Sequence, residues 1–334
     1  MKTLIWIPFF SVSCLTLDPL LPFFRPIHCS DVSEKTCDPN HPEWDEADPV
    51  WDLACVPCDE PYDWSTEHPW RASTLDGDLT DIRVIPEEHV ERLALAIQGA
   101  KDLDAYFIDS HGEVPEVAET TIVFNHGNFV GMEHYMPRVR FFYELGYNVY
   151  VWDYRGYGKS LPTEPPTLPE IMSDAKKAFL QAESLAPDPD KLIIYGMSIG
   201  GMPAGEMAAT FRGCAQMFEA AYNSVTAKIE TNMALSLPGS FLTSGLAEND
   251  VKLKDTKTPT LIMHSDADAR VHIDEARRLY KKLPDSTPKE MVVIKNADHG
   301  MGGEYGGIPE QGLTAYGDIM MSFLEDNAPG CLTE

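Results

Sequence analysis

The stretch KLIIYGMSIGGMP, residues 191–203, carries the strongest local signal for fold and chemistry in this 334-residue chain. Apolar β-forming residues run into Gly196, and Gly200 follows four residues later with Ser198 between them. A strand that breaks into a sharp turn with a serine at its apex is typical of the nucleophile turn G-x-S-x-G. Because so short a pattern also arises by chance, its meaning depends on residues elsewhere in the chain.

Short β-rich runs and helical periodicities alternate around this stretch. After a predicted hairpin in residues 90–110, strands are predicted at 121–127, 147–156, 191–196, 215–222, 258–265 and 290–300. Apolar residues at steps of three and four predict helices at 168–185, 273–283 and 313–324, and Thr167 with Glu170 forms a capping box before the first. This order predicts an α/β fold, with a mostly parallel sheet flanked by helices and begun by an antiparallel edge.

Three of the predicted strands end in side chains that could act together. Ser198 follows one strand, Asp266 and Asp268 follow a second, and His299 lies at the end of a third. Ligands of such sheets bind at the carboxyl ends of the strands. A serine hydroxyl needs a base near neutral pH, and imidazole needs a carboxylate on its far nitrogen to fix the tautomer. The order Ser, Asp, His is the one expected for this chemistry on an α/β sheet.

Five motifs over residues from about 90 to 326 together resemble the α/β-hydrolase superfamily, in its cap-poor branch related to Bem46-like and prolyl-oligopeptidase-like serine hydrolases. They are NHGN at 125–128, DYRGYGKS at 153–160, GMSIGG at 196–201, HSDADARV at 264–271 and ADHG at 297–300. The resemblance implies an α/β-hydrolase fold without a large cap. Ser265 stands where the family usually has glycine, and we expect this change to leave the catalytic groups untouched.

The resemblance also implies roles for individual residues. Ser198 would be the nucleophile and His299 its base. The family's acid falls at the fifth position counted from His264, which is Asp268, and Asp266 would then be a turn residue, although it remains the alternative acid. No metal and no organic cofactor are expected.

The resemblance further implies an oxyanion hole made by the backbone N–H groups of Asn128 and Ile199, where side-chain identity would not matter. Asp153 and Arg155 are expected to tie a loop below the site, and His126 to orient the oxyanion loop.

These features predict a serine hydrolase that cleaves an ester, thioester or amide of a small-molecule or peptide substrate through an acyl-enzyme on Ser198. An acyltransferase would use the same triad with a different acceptor, so it remains an alternative. A binding protein on the same fold is a weaker alternative, because it would normally have lost a catalytic residue. Only about 35 residues separate Asn223 from Thr258, which predicts an open site.

The charge is strongly acidic, with 26 Lys plus Arg against 53 Asp plus Glu and a formal net charge of −27. Such a field repels phosphate backbones, which argues against nucleic acid or an anionic membrane surface as a partner. The segment from Asp31 to Glu67 contains twelve acidic residues and only one basic residue, Lys35. We interpret this segment as a solvated face, with a cation site as the alternative. Nothing in the sequence indicates an oligomeric state.

Three regions are predicted along the chain: a signal-like segment at 1–14, an acidic Cys- and Trp-rich extension at 15–80, and an α/β-hydrolase domain at 81–330. Lys2, the apolar run from Leu4 to Phe10 and the small residues before Cys14 are typical of a secretory signal and predict export to the periplasm or the exterior. Cys14 would carry a lipid anchor if this were a bacterial lipoprotein signal, although Ser11 stands where such signals usually have leucine. An ordinary signal peptide and a buried strand are the alternatives.

Four of the seven cysteines lie in the extension, namely Cys29, Cys37, Cys55 and Cys58. In an exported chain they predict two disulfides, with three possible connectivities that the sequence does not rank. In a cytosolic chain a zinc site would be the better interpretation, but the spacing lacks a second C-x₂-C pair.

Overall fold

Eight strands form one sheet in the computed structural model, which describes residues 85–97, 101–128, 131–164, 166–226, 245, 247–297, 299 and 313–333. The strands are β1 (Val90–Ile97), β2 (Lys101–Ile108), β3 (Thr121–Asn125), β4 (Asn148–Trp152), β5 (Leu192–Met197), β6 (Ala215–Glu219), β7 (Thr260–Ser265) and β8 (Lys289–Ile294). Their order across the sheet is β1-β2-β4-β3-β5-β6-β7-β8.

The sheet is parallel except at its first edge. β1 and β2 form an antiparallel hairpin in which Val90 lies opposite Ile108, and β2 also pairs antiparallel with β4. All pairings from β4 through β3, β5, β6 and β7 to β8 are parallel. The predicted hairpin, the six later strands and the mostly parallel sheet are therefore confirmed.

Helices cover both faces of this sheet. They are α1 (Met136–Glu144), α2 (Leu168–Leu185), α3 (Gly201–Thr210), α4 (Asn249–Lys252), α5 (Asp274–Lys282) and α6 (Leu313–Asn327). One apolar core lies between the sheet and helices α2, α3 and α5, and a second lies between the sheet and helices α1 and α6. Every residue of β3 to β7 is buried, because both faces of these strands are covered. Burial on both faces explains why the sequences of these strands are mostly continuous apolar runs.

The capping box predicted for α2 is present. The backbone N–H and the hydroxyl of Thr167 lie 2.9 and 2.8 Å from the same carboxylate oxygen of Glu170. The guanidinium of Arg155 reaches this helix too, with bonds of 2.6 and 2.9 Å to Asp174 and 3.0 Å to Glu170. Arg155 thus ties the loop after β4 to α2, as predicted.

A buried ionic cluster attaches helices α1 and α6 to the central strands. Glu219, the last residue of β6, accepts hydrogen bonds from Arg138 of α1, Tyr195 of β5 and Tyr316 of α6. All four side chains are almost completely buried. Removal of one member would leave charge or hydrogen-bonding capacity unpaired in the core, so the cluster fixes both helices on this face.

The amino ends of the parallel strands are cross-linked to the C-terminal segment. Cys214, directly before β6, forms a disulfide with Cys331, 117 residues later, beyond α6. The hydroxyl of Thr120, directly before β3, donates a 2.5 Å hydrogen bond to the carbonyl of Cys331. The backbone N–H of Thr333 donates to the carbonyl of Glu116 at 2.8 Å. This disulfide was not among the predicted pairings.

Several predictions fall outside the described residues. They are the signal-like segment, Cys14, the acidic extension with its four cysteines, and the start of the hydrolase domain at residue 81. Residues 227–244 and 246 of the connection between β6 and β7 also lie outside them, so the predicted openness of the site stays a prediction. In the part of the chain that the structure describes, no helix combines the length and the apolar character that crossing a membrane requires.

Candidate active site

A tight turn connects β5 to α3 and carries Ser198 at its apex. Ser198 has a φ of +53°, a conformation that non-glycine residues rarely adopt. A Cβ on Gly200 would lie 2.1 Å from the carbonyl oxygen of Asn125, and a Cβ on Gly196 would lie 2.6 Å from the Cβ of Ala204. Glycine is therefore required on both sides of Ser198 because strand and helix approach so closely, as predicted.

A continuous chain of hydrogen bonds joins the three side chains at the strand ends. The Oγ of Ser198 lies 2.8 Å from the Nε2 of His299, and the Nδ1 of His299 lies 2.7 Å from the Oδ2 of Asp268. All three residues are buried, with between 6% and 8% of their surface exposed. The structure thus brings together the hydroxyl, imidazole and carboxylate that the sequence places 101 and 31 residues apart.

The carboxylate of Asp268 is held in its ionised form. Burial on its own would raise its pKa, but the hydrogen bond and charge of His299 oppose this, together with backbone N–H groups. Those groups belong to Val271 and Arg270, and they lie 2.8 and 2.9 Å from Oδ1. The net result is a pKa below the ordinary aspartate value, so Asp268 offers a negative charge to the imidazole.

His264 closes the loop that carries Asp268. Its Nε2 donates a 2.8 Å hydrogen bond to the carbonyl of Val271 and lies 3.5 Å from Oδ2 of Asp268. Burial lowers the pKa of His264, which favours a neutral ring at neutral pH. The ring therefore acts as a hydrogen-bond brace across the loop.

The alternative acid, Asp266, faces away from the imidazole. It is exposed, and its carboxylate pairs with Lys295 at 2.8 Å and accepts the backbone N–H of Asn296 at 2.9 Å. The bonds to Lys295 and Asn296 lower its pKa. Asp266 thus links the loop after β7 to the turn after β8, while Asp268 is the carboxylate that reaches His299.

Ser265, the substitution for the family's usual glycine, links two loops of the site. Its hydroxyl donates to the carbonyl of Ala297 and accepts the backbone N–H of Ala267 at 3.1 Å. Ala297 lies two residues before His299. The hydroxyl makes no bond to the three central side chains, as expected, but it supports the backbone that leads to His299.

The loop after β3 passes against Ser198. A Cβ on Gly127 would lie 3.4 Å from the Cβ of Ser198 and 2.4 Å from the hydroxyl of Tyr135, so a larger residue there would displace the Tyr135 side chain. Asn128 follows Gly127, and its side-chain oxygen accepts a hydrogen bond from the hydroxyl of Tyr157. Ile199 lies beside Ser198 in the turn. The sequence placed Tyr157 in the DYRGYGKS motif but did not connect it with Asn128.

His126 and Asp153 form the floor beneath this loop. His126 is completely buried, and its Nε2 lies 3.2 Å from Oδ1 of Asp153, which also accepts the backbone N–H of Met132 at 2.6 Å. The ring stacks on Tyr154, whose hydroxyl donates to the carbonyl of His126 at 2.7 Å. Asp153 therefore ties the loop below the site, as predicted, and His126 is held within that loop from both sides.

Glu275, in the first turn of α5, is a buried carboxyl group that the sequence did not single out. It accepts the backbone N–H groups of Asn223 and Ser224 at 3.2 and 3.1 Å, directly after β6. Burial outweighs these bonds and raises its pKa to about 7. The contact joins the segment leaving β6 to the helix that follows the Asp268 loop.

The ends of β3, β5, β7 and β8 thus supply one site at the carboxyl edge of the sheet. Among the described residues, no group of three His, Cys, Asp or Glu side chains is arranged to hold a metal ion.

Comparison with known proteins gives two family matches. The profile of the family described as "Serine aminopeptidase, S33" matches residues 116–237, and that of the "Prolyl oligopeptidase family" matches residues 243–316. The two matches together span all five motifs.

Relatives and one solved structure agree with these matches. The uncharacterized protein YfhR of Salmonella typhimurium is 27% identical over 248 residues, which cover 70% of this chain and 81% of that protein. Protein bem46 of Schizosaccharomyces pombe is 30% identical over 183 residues, or 53% of this chain and 60% of that protein. The Pyrococcus furiosus esterase Pf2001 shares the fold at a TM-score of 0.55 and 18% identity, covering 71% of this chain and 91% of the esterase. The chain thus has the α/β-hydrolase fold and is similar to Bem46-like proteins.

Proposed function

We propose that this chain is a serine hydrolase that cleaves carboxylic esters through an acyl-enzyme on Ser198. The observation that carries the proposal is the buried hydrogen-bond chain from Ser198 through His299 to Asp268. A serine hydroxyl in such a chain can lose its proton as it attacks a carbonyl carbon, which an isolated serine does not do near neutral pH.

In the first half of the reaction, the Oγ of Ser198 attacks the ester carbonyl and its proton passes to Nε2 of His299. Asp268 fixes the tautomer through Nδ1 and stabilises the imidazolium that forms. His299 then returns the proton to the leaving alkoxide. The C–O bond of the ester breaks, an alcohol leaves, and the acyl group remains on Ser198.

The negative charge that develops on the carbonyl oxygen needs hydrogen-bond donors already in place. The backbone N–H groups of Asn128 and Ile199 are the proposed donors, because Ile199 directly follows Ser198 and Asn128 directly follows Gly127, which lies against Ser198. Loss of one such donor typically costs about 10² to 10³ in rate.

In the second half, water attacks the acyl-enzyme and His299 takes one of its protons. The same proton then returns to Oγ as the acid leaves, which restores Ser198. Substrate and one water are thus converted into one acid and one alcohol.

Esters are favoured over amides because the fold of this chain matches that of an esterase over 91% of the esterase's length. Both matching families carry peptidase descriptions, however, so peptide amides are the competing substrate class. An acyltransferase would form the same acyl-enzyme and pass the acyl group to another acceptor, which product analysis distinguishes from hydrolysis.

A fluorophosphonate probe tests the nucleophile. We expect the wild type and a Ser184→Ala control to be labelled, because Ser184 is an exposed serine on α2, whereas Ser198→Ala should not be labelled. Equal labelling of Ser198→Ala would refute the proposal.

Short- and long-chain p-nitrophenyl esters and peptide p-nitroanilides test the substrate class. We expect ester turnover that falls at least about 10³-fold in Ser198→Ala. Faster cleavage of the anilides would assign the site to peptides instead.

A further inference from the structure

We propose that Tyr157 is a positioning residue that holds Asn128 in place as an oxyanion donor through a hydrogen bond to its side chain. The inference rests on the proposed function and adds to it, because the family motif treats the Asn128 side chain as irrelevant. It gives the second tyrosine of DYRGYGKS a task in the reaction without any contact with the substrate.

The contact joins two segments that meet only in the folded chain. The hydroxyl of Tyr157 donates to Oδ1 of Asn128, 29 residues earlier in the sequence. Tyr157 is completely buried, and Asn128 is half-buried at the exit of β3. Loss of this bond would carry a cost, because the Tyr157 hydroxyl is buried and would lose this acceptor.

The tyrosine hydroxyl is a fixed point because its turn is closed on several sides. The backbone N–H of Tyr157 donates to the carbonyl of Tyr154 at 3.0 Å, and its carbonyl accepts the N–H of Ser160 at 2.9 Å. The hydroxyl of Ser160 donates to the carbonyl of Asp153 at 2.9 Å. The Tyr157 ring packs edge-on against Tyr154 at a centroid distance of 5.4 Å.

The peptide that joins Gly127 to Asn128 needs a restraint on both of its sides. On the Gly127 side, its carbonyl oxygen lies 2.8 Å from Nδ1 of His126, whereas glycine itself restricts the backbone little. An oxyanion donor works only when it is oriented before the charge develops. A bond from Tyr157 to the Asn128 side chain restrains the Cα of Asn128, and with it the direction of the adjoining N–H group.

Tyr157→Phe tests this assignment, since it removes only the hydroxyl. We expect kcat for a p-nitrophenyl ester to fall about tenfold while KM stays within about twofold, because a misplaced donor weakens transition-state binding. The rate of fluorophosphonate labelling and the affinity for a trifluoromethyl ketone should fall by a similar factor.

Tyr150→Phe is the matched control. Tyr150 is also completely buried, and its hydroxyl donates to the side-chain oxygen of Gln181 at 2.8 Å, on β4 and away from the site. We expect a similar loss of thermal stability in the two variants but an unchanged kcat in Tyr150→Phe.

A double-mutant cycle with Asn128→Ala identifies the partner, because that variant keeps its backbone N–H but loses the side-chain acceptor. Asn128→Ala should also lose about tenfold in kcat, and the double variant should lose little more. This second variant also serves if Tyr157→Phe does not fold.

The outcomes separate the two proposals. An unlabelled wild type would refute the proposed function. A labelled wild type with equal kcat in Tyr157→Phe and Tyr150→Phe, or full additivity in the cycle, would overturn the role of Tyr157 alone.

Discussion

The two edges of the parallel sheet are built in opposite ways. At the carboxyl edge, the residues Ser198, Ala220 and Asn296, after β5, β6 and β8, have φ values of +53°, +45° and +59°. They are three of the four non-glycine residues with positive φ in the described part of the chain. The amino edge is instead closed by the Cys214–Cys331 disulfide and by hydrogen bonds to the C-terminal segment.

The difference indicates a division between the two edges: one contributes stability, and the other carries the strained turns of the candidate site. Residues in sparsely populated backbone conformations cost about 1 to 3 kcal/mol each and persist only where their surroundings fix them. A disulfide typically contributes about 2 to 4 kcal/mol to the free energy of unfolding. The amino edge therefore supplies stability that offsets the strained turns at the carboxyl edge, where the candidate site lies. Three comparisons test this division.

The largest expected effect is at the carboxyl edge. Asp268→Asn should lower kcat/KM for an ester by about 10³ to 10⁴, because the amide would donate to Nδ1 of His299 and select the wrong tautomer. Asp266→Asn, in the same loop but exposed, should stay within about threefold of the wild type. Steady-state kinetics of the two variants identify which aspartate is the catalytic acid. A larger loss of kcat/KM in Asp266→Asn would reverse the assignment.

The second effect is at the amino edge. Replacing Cys214 and Cys331 together by serine should lower the free energy of unfolding by about 3 kcal/mol and leave kcat at 25 °C unchanged, because the bond is far from Ser198. Urea unfolding and ester kinetics on the same preparation measure the two quantities. A drop in kcat without a change in stability would break the proposed separation of the edges.

The smallest effect concerns the strain at Ser198. Both Ser198→Gly and Ser198→Ala should be inactive, but the glycine variant should be about 1 kcal/mol more stable, because glycine adopts a positive φ without a Cβ clash. Chemical denaturation of the two inactive variants isolates this difference. Equal stability would mean that the turn stores little strain.

The fold was largely predictable because local signals agreed with its topology. The helix predicted at 168–185 matches α2 at both ends, since Thr167 and Glu170 cap its start. The strand predicted at 215–222 ends at Glu219 instead, because Ala220 turns the chain with a positive φ. An alanine carries no local signal for such a turn, so this end could not be predicted.

The central side chains of the candidate site were predictable because each belongs to a motif with fixed spacing. Their supports were not. Tyr157 and Asn128 lie in separate motifs and meet only through tertiary packing. Glu275 could not be identified from the sequence, because charged residues of a surface helix usually face solvent. Its burial arises from packing against the segment after β6. The partners Cys214 and Cys331, 117 residues apart, gave no local sign of pairing.

That disulfide also constrains the order of biosynthetic events. After a ribosome has added Cys214, it must add 117 more residues before the partner cysteine exists. Strands β7 and β8 and helix α6 are all made in that interval. The native Cys214–Cys331 bond can therefore form only after every strand of the sheet has been synthesised, and any earlier disulfide of Cys214 would have to be exchanged to reach it.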